Sequence, residues 1–378
     1  MKTGEIRKLS EVSKKIKPKW IRCYIEQKKL RELSQKNNFQ GACQALGHLL
    51  VWLLTGSICY YFFENDLWTG FILSLIIHGT VGTCFMHGCH ELSHGTVFKT
   101  KYLNGIFLNI FSLLSWFPYH IYKMSHSYHH RFTLYPEGDR EQLLPHRTSL
   151  HVLYLIQLFT VNITGGVHSV GLIPTIRSNL KIAMNCFEKP FSDWGEELYE
   201  GQKEERAKAV NWARFVIIFH SLVIILSVWI GKPILAVLIS GHTFFGGWHL
   251  YFTTLPQHCG LMSNVNDFRK CARTIKLDPI SEFFYWHMNW HLEHHMFAGV
   301  PCYNLRKLNK IIYQQLPKPK TLIGAWIEMR KTWKRQQVDP TYEYNTPVPP
   351  ISKEYSVSKN ETLEALSMGD LAPKSILS

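Results

Sequence analysis

Four blocks of the chain, residues 42–63, 68–86, 215–231 and 233–253, contain no Lys, Arg, Asp or Glu. A helix rises about 1.5 Å per residue, so each block is long enough to cross a hydrocarbon layer about 30 Å thick. Inside such a layer no water satisfies the backbone amides and carbonyls, and helices are the way for single segments to span it. The pattern predicts an all-α integral membrane protein with four transmembrane helices in two hairpins, closed by the short connections "ENDLW" and Lys232. Buried helices of a soluble fold are the alternative, but four uncharged blocks of this length are rare there. Two weaker blocks, 103–118 and 150–175, carry Asn, Gly and His and suit interfacial or re-entrant segments.

Charge sets the expected orientation. Residues 1–40 hold twelve Lys or Arg against four Glu, and the chain beyond 302 is again basic, whereas the hairpin connections carry only Glu64, Asp66 and Lys232. By the positive-inside rule both termini and the long 87–211 segment face the cytoplasm. The net charge of +14 fits attraction to an anionic leaflet and to an acidic protein partner; no nucleic-acid motif accompanies it. The polar, basic first 40 residues do not resemble a cleavable signal peptide, so the first span is expected to act as the targeting signal. Nine cysteines form no CxxC pair, which fits reduced thiols. Cys84, Cys89 and Cys259 lie near the histidines discussed below and are weak ligand candidates. The sequons at Asn162 and Asn360 are expected on the cytoplasmic side, unmodified. Three regions follow: a basic cytosolic N-terminal segment (1–41), a membrane domain (42–335), and a flexible cytosolic tail (336–378) that contains "PVPP".

Three five-residue windows, 90–94, 126–130 and 291–295, hold 8 of the 20 histidines. His90 and His94 are spaced i, i+4; His126, His129 and His130, like His291, His294 and His295, are spaced i, i+3, i+4. On a helix each set shares one face. The topology puts all three sets on the same side of the bilayer, in a cytosolic helical cap, so they can converge. Eight imidazoles exceed what one ion takes: four protein ligands at a closed zinc site, three at a catalytic one. Two metals with four or five ligands each are expected. Imidazole suits iron, zinc, copper and nickel, and open positions on a membrane enzyme favour iron used for oxygen chemistry. The Glu-x-x-His pattern of soluble di-iron bundles is missing, so histidine must supply the whole ligand set. Glu91, Asp139, Glu141 and Glu293 stand where they could orient the rings through the second ring nitrogen, or simply be solvated charges. A loosely metal-binding His tract and a metal transporter are the competing readings; a transport site calls for polar groups near the bilayer midplane, and the boxes lie outside it. His78, His220 and His242 fall within spans, where a ring lines the interior or pairs with a neighbour.

"HELSH", "HSYHH" and "HLEHH", in this order, with the first box following one apolar hairpin and the last following a second, resemble the three histidine boxes of the membrane-bound fatty acid desaturase and hydroxylase superfamily, over roughly residues 42–312. The run "NWHLEHHMFAGVPCYNLRKLN" is most similar to the last box of acyl-lipid desaturases, with Ala298 where Pro is usual. The resemblance implies two iron ions (Fe2+/Fe3+) held by nine histidines: His90, His94, His126, His129, His130, His291, His294, His295 and one more just after the fourth span. "LPQHCGL" offers His258 there, similar to the "EHxGL" segment of membrane alkane hydroxylases; His249 is the competitor. His87 and His287 match no box position, and structural or ring-orienting roles are expected for them. The implied activity is O2-dependent introduction of a double bond into a lipid acyl chain, with hydroxylation of a lipid or hydrocarbon, carotenoid-type substrates included, as the alternative. No haem-binding "HPGG", flavin fingerprint or iron–sulfur spacing is visible, so electrons must come from outside, in similar proteins from cytochrome b5 or from ferredoxin with its reductase. The front-end subfamily usually has Gln where His291 stands. The implied location is multi-pass in a membrane with the site on the cytosolic face: endoplasmic reticulum if eukaryotic, inner or thylakoid membrane if bacterial.

Overall fold

The computed structural model describes residues 9–141, 151–165, 171–187 and 194–350. The described chain is helical apart from two short strands, Ile275–Lys276 and Lys320–Thr321, paired in parallel. Helix α1 (Asn38–Glu64) starts where the Asn37 side chain accepts the Phe39 and Gln40 amides, and it ends at Asn65 and Asp66, the latter at φ 55°. Three residues later α2 (Trp68–Thr83) returns alongside it and runs through Cys84 into α3 (Phe85–Ser93), the helix of the first histidine box. α4 (Lys101–Leu114) packs on α3, and α5 (Tyr119–Phe132) carries the second box.

Three helices are long and apolar enough to cross a membrane: Asn38–Glu64, Trp68–Ser93, and α6 (Lys203–Trp229). Their outward faces are apolar, with Leu50, Leu54, Ile72, Ile77, Leu222, Ile225 and Trp229 all exposed. Such a surface calls for a lipid or protein partner rather than water.

The fourth uncharged block is not one helix. It runs from Ile234 to Phe244 with a π turn at Val237–Gly241 and a 3-10 turn at His242–Phe244, breaks at Phe245 and Gly246 (φ 58°), and resumes as α7 (Trp248–Thr254). Gly241, Gly246 and Gly247 are poor helix formers, and the freed backbone groups find partners inside the protein. The Phe244 carbonyl accepts the Asn162 amide at 2.7 Å, the Gly246 amide donates to Thr160 O at 2.9 Å, and the Gly246 carbonyl accepts the Thr80 hydroxyl at 2.9 Å. Helix α2 admits this break because Gly79 has no side chain; a Cβ there would stand 2.4 Å from the Phe245 carbonyl oxygen. Hydropathy alone carries no trace of the break.

Histidines inside the apolar helices pair with neighbouring groups, as expected. His78 bridges the Thr55 hydroxyl and the Leu238 carbonyl at 3.0 Å each, and His220 bridges the Ser240 hydroxyl and the Leu113 carbonyl at 2.8 Å each. His242 reaches the Ile239 carbonyl at 3.1 Å. Of the two weaker apolar blocks, the first forms α4. The second forms short helices at Val152–Phe159 and Leu172–Ala183, and 166–170 lie outside the described residues.

The third box lies on α8 (His291–Met296), followed by α9 (Cys302–Ile312) and α10 (Leu322–Gln336). Beyond α10 the chain does not leave the body at once. Tyr344 N–H donates to Gly260 O at 2.7 Å, Glu343 takes the Ser263 amide and hydroxyl, and Arg269 donates to Pro349 O at 3.0 Å. A Pro-rich stretch cannot continue a helix, but it can lie extended on a loop that supplies donors and acceptors. The rest of the tail, from 351 on and including Asn360, lies outside the described residues.

Candidate metal centre

Helix periodicity places the rings, and packing then sets their height. Gly88 on α3 is pressed by Phe111 of α4, whose ring would stand 2.4 Å from a Cβ there, so α3 is locked against α4 just before His90. At the third box, consecutive left-handed residues Trp286 (φ 52°) and His287 (φ 57°) turn the chain into α8. That costly conformation is held by its neighbours: Trp286 Nε1–H donates to His48 Nδ1 at 3.1 Å, while Glu282 lies 2.9 Å from His287 Nδ1 and accepts Trp290 Nε1–H at 2.9 Å.

All nine expected histidines meet in two adjoining groups. His90, His94, His126, His130 and His294 form one, and His129, His258, His291 and His295 the other; within each, the possible ligand atoms lie within 4.8 Å of one another. The boxes are shared out between them. His126 and His130, one turn apart, serve the first group and His129 the second; His294 serves the first while His291 and His295 serve the second.

The donor set fits metal ions. Nε2 atoms face one another at 2.9 Å (His126–His130), 3.1 Å (His130–His294), 2.8 Å (His258–His291) and 3.0 Å (His291–His295). Nitrogens bound at about 2.1 Å and at right angles around one ion lie about 3 Å apart. The outer nitrogens are anchored: His90 Nδ1 to Glu91 at 3.1 Å, His126 Nδ1 to Glu141 at 3.0 Å, His129 Nδ1 to Asp139 at 2.8 Å, His258 Nδ1 to Cys271 O at 2.7 Å and His295 Nδ1 to Thr133 Oγ1 at 3.1 Å. A proton held on Nδ1 leaves the Nε2 lone pair pointing inward. His90 Nε2 and both nitrogens of His94 are buried with no hydrogen-bond partner among the described residues, a cost that a bound cation would remove. Burial, reinforced by neighbouring imidazoles, holds His94, His126, His130, His291 and His295 well below the ordinary histidine range, which favours the neutral form that can ligate. His129 goes the other way: burial opposes its charge, but the Asp139 and Glu141 carboxylates outweigh it.

The remaining candidates divide. Glu91, Asp139 and Glu141 touch cluster rings as expected. Glu293 does not: it accepts the Thr274 hydroxyl at 2.6 Å and the Asn309 amide at 2.5 Å, tying α8 to the strand region and to α9. On a helix whose histidines point inward, the intervening residue faces the opposite side. His287 likewise faces Glu282 and serves its own strained turn. His87 contacts the Thr254 hydroxyl and the Phe284 carbonyl, both at 3.3 Å, and His249 lies 3.4 Å from Cys84 Sγ; neither belongs to the two groups. Nor do Cys84, Cys89 or Cys259. Three participants escaped the sequence reading: Thr133, the Cys271 carbonyl, and Phe268, whose ring centroid lies 5.8 Å from that of His295. A backbone carbonyl has no sequence signature, and Thr133 follows its box only by ordinary helical spacing.

Beside both groups lies a cavity of about 130 Å³, walled by Met86, Phe117, Tyr122, Leu250 and Met288 and opening on the rings of His90, His126, His129 and His291.

No curated protein matches the chain. The family profile described as "Fatty acid desaturase" matches residues 66–325, which include all nine clustered histidines. The chain belongs to the fatty acid desaturase family.

Proposed function

We propose that the protein is an O2-dependent two-iron oxidoreductase that introduces a double bond into the acyl chain of a membrane lipid. The observation that carries this reading is the pair of adjoining groups of imidazole donors, five and four, beside a cavity with an apolar wall. His90, His94, His126, His130 and His294 would hold one iron, and His129, His258, His291 and His295 the other. Bound there, the irons would supply the oxidising power that dioxygen and two electrons generate at an inert C–H bond.

The protein's own contribution is placement and exclusion. Glu91, Asp139 and Glu141 orient His90, His129 and His126, and they bring negative charge to a site that must accept cations. Met86, Phe117, Leu250 and Met288 position two adjacent methylenes and keep bulk water from the reacting carbons. The substrate enters from the lipid side between the spans. In this reading the Ile234–Phe244 helix and α7 together make a fourth crossing, and the boxes and both termini face the cytosol. Residues 1–41 form the basic cytosolic segment, 42–335 the membrane domain, and the end of the tail is flexible. The electrons come from an external acidic carrier of the cytochrome b5 or ferredoxin kind.

The test is expression in a host lacking such enzymes, with iron counted in the purified protein and host lipids compared by mass spectrometry. Two irons per chain and products lighter by two hydrogens are expected. A gain of one oxygen would reassign the reaction to hydroxylation, which the "QHCGL" segment also suits; one labile zinc and unchanged lipids would overturn oxidation altogether.

A further inference from the structure

The segment Trp20–Cys23 lies outside the family-matched stretch, yet it is fastened to both boxes of the second metal group. Trp20 Nε1–H donates to Arg131 O, at the end of the second box, at 2.9 Å. Two residues on, Arg22 Nε–H donates to Met296 O at 2.9 Å, and the Cys23 amide reaches Met296 Sδ at 3.5 Å, both on the helix of the third box. Ile21 pairs with Asp267. The Trp20 ring stacks on Phe268 at 4.0 Å and 11°, and Phe268 lies 5.8 Å from His295. Tyr135 meets the other side of Trp20 edge-on at 5.8 Å. A continuous line of π systems therefore runs from half-exposed Tyr135 through Trp20 and Phe268 to a histidine of the second group.

The surface at the outer end of this line is basic. The run "KKIKPKW" places exposed Lys14, Lys15, Lys17 and Lys19 directly before Trp20, and half-exposed Lys270 follows Phe268 by two residues. Dioxygen reduction coupled to desaturation needs two electrons that the substrate does not provide, and the chain shows no redox cofactor motif of its own. We infer that an acidic one-electron carrier protein docks on this lysine-rich face and passes its electrons through Trp20 and Phe268 to His295. The inference rests on the two-iron reading above. Each docking event moves one electron, oxidising the carrier by one; two events and two protons from water complete the balance in which dioxygen becomes two waters and the acyl chain loses two hydrogens. Close-packed rings shorten the gap across a protein wall that would otherwise separate the surface from a buried centre. Positive charge at the entrance raises the encounter rate with an acidic partner.

The experiment is stopped-flow reduction of the iron-loaded protein by reduced cytochrome b5, monitored at the carrier's haem band, alongside carrier binding by titration and iron content. Trp20→Phe keeps the stack and loses the hydrogen bond to Arg131; Trp20→Leu loses both. Expected is near-normal reduction in Trp20→Phe and reduction slowed about tenfold or more in Trp20→Leu, with two irons retained in each. Lys17→Glu/Lys19→Glu should weaken carrier binding about tenfold at low salt, an effect that fades as salt is raised. Equal rates in Trp20→Leu and the parent, with two irons and lipid oxidation intact, overturn the route while leaving the function standing. If the lysine changes weaken only adsorption to vesicles of anionic phospholipid and not carrier binding, the basic run serves the lipid surface and the docking face is overturned. A protein that takes up no iron overturns both readings.

Discussion

The two histidine groups are built from the same boxes but by different means. The first is almost wholly a product of helices: four of its five rings come in i, i+4 pairs, His90 with His94 and His126 with His130, and its anchors Glu91 and Glu141 are acidic side chains near them in sequence. The second draws on irregular chain. His258 stands in the turn after a broken helix, its outer nitrogen is anchored by the Cys271 carbonyl, and Phe268 and Trp20 cover it from segments far apart in sequence. Periodic spacing can build one group of rings; the other depends on where loops are carried by packing.

The sharpest test of that contrast removes one ring from each side. His258→Ala is expected to drop iron from two per chain to one and abolish lipid oxidation, with His94→Ala doing the same from the first group and His249→Ala keeping both irons; metal analysis with activity assays decides. Next come the carboxylates. Asp139→Asn should weaken metal binding at the second group about 10–100-fold, and Glu141→Gln should act on the first, measured by chelator competition. Because Glu293 fastens α8 to Thr274 and Asn309 and touches no ring, Glu293→Ala should cost about 1–3 kcal/mol of stability while two irons still bind, read by thermal unfolding in detergent and metal analysis. Gly246→Ala, at a left-handed φ and with its Cβ 2.4 Å from the Ile76 carbonyl, should cost about 1–3 kcal/mol, whereas Gly105→Ala, inside α4 with nothing within 4 Å of its Cβ, should not destabilise, since alanine is the better helix former. The smallest effect is expected at the tail: Glu343→Ala removes its bonds to Ser263 and should cost about 1 kcal/mol.

These contrasts also mark how much of the site was legible beforehand. The three boxes could be read because histidines at i, i+3 and i+4 point one way on any helix, whatever surrounds it. The choice of His258 over His249 came from resemblance; His258 Nε2 lies 2.8 Å from His291 Nε2, whereas His249 lies against Cys84. Glu293 misled because an acid inside a histidine box looks like a ring anchor, although helical phase turns it outward. His287 takes the structural one of the two roles expected for it: it stands in a left-handed turn and contacts Glu282 rather than a clustered ring.

Local pattern by itself determined the apolar helices and the three histidine faces, because hydropathy and helical period are properties of neighbouring residues. Tertiary structure alone decided which rings are grouped together, where the fourth apolar block breaks, and that segments at both ends of the chain close over the second group. Those outcomes depend on contacts between residues far apart in sequence, such as Phe245 against Gly79, Trp20 against Phe268 and Tyr344 against Gly260, and no window along the chain contains both partners.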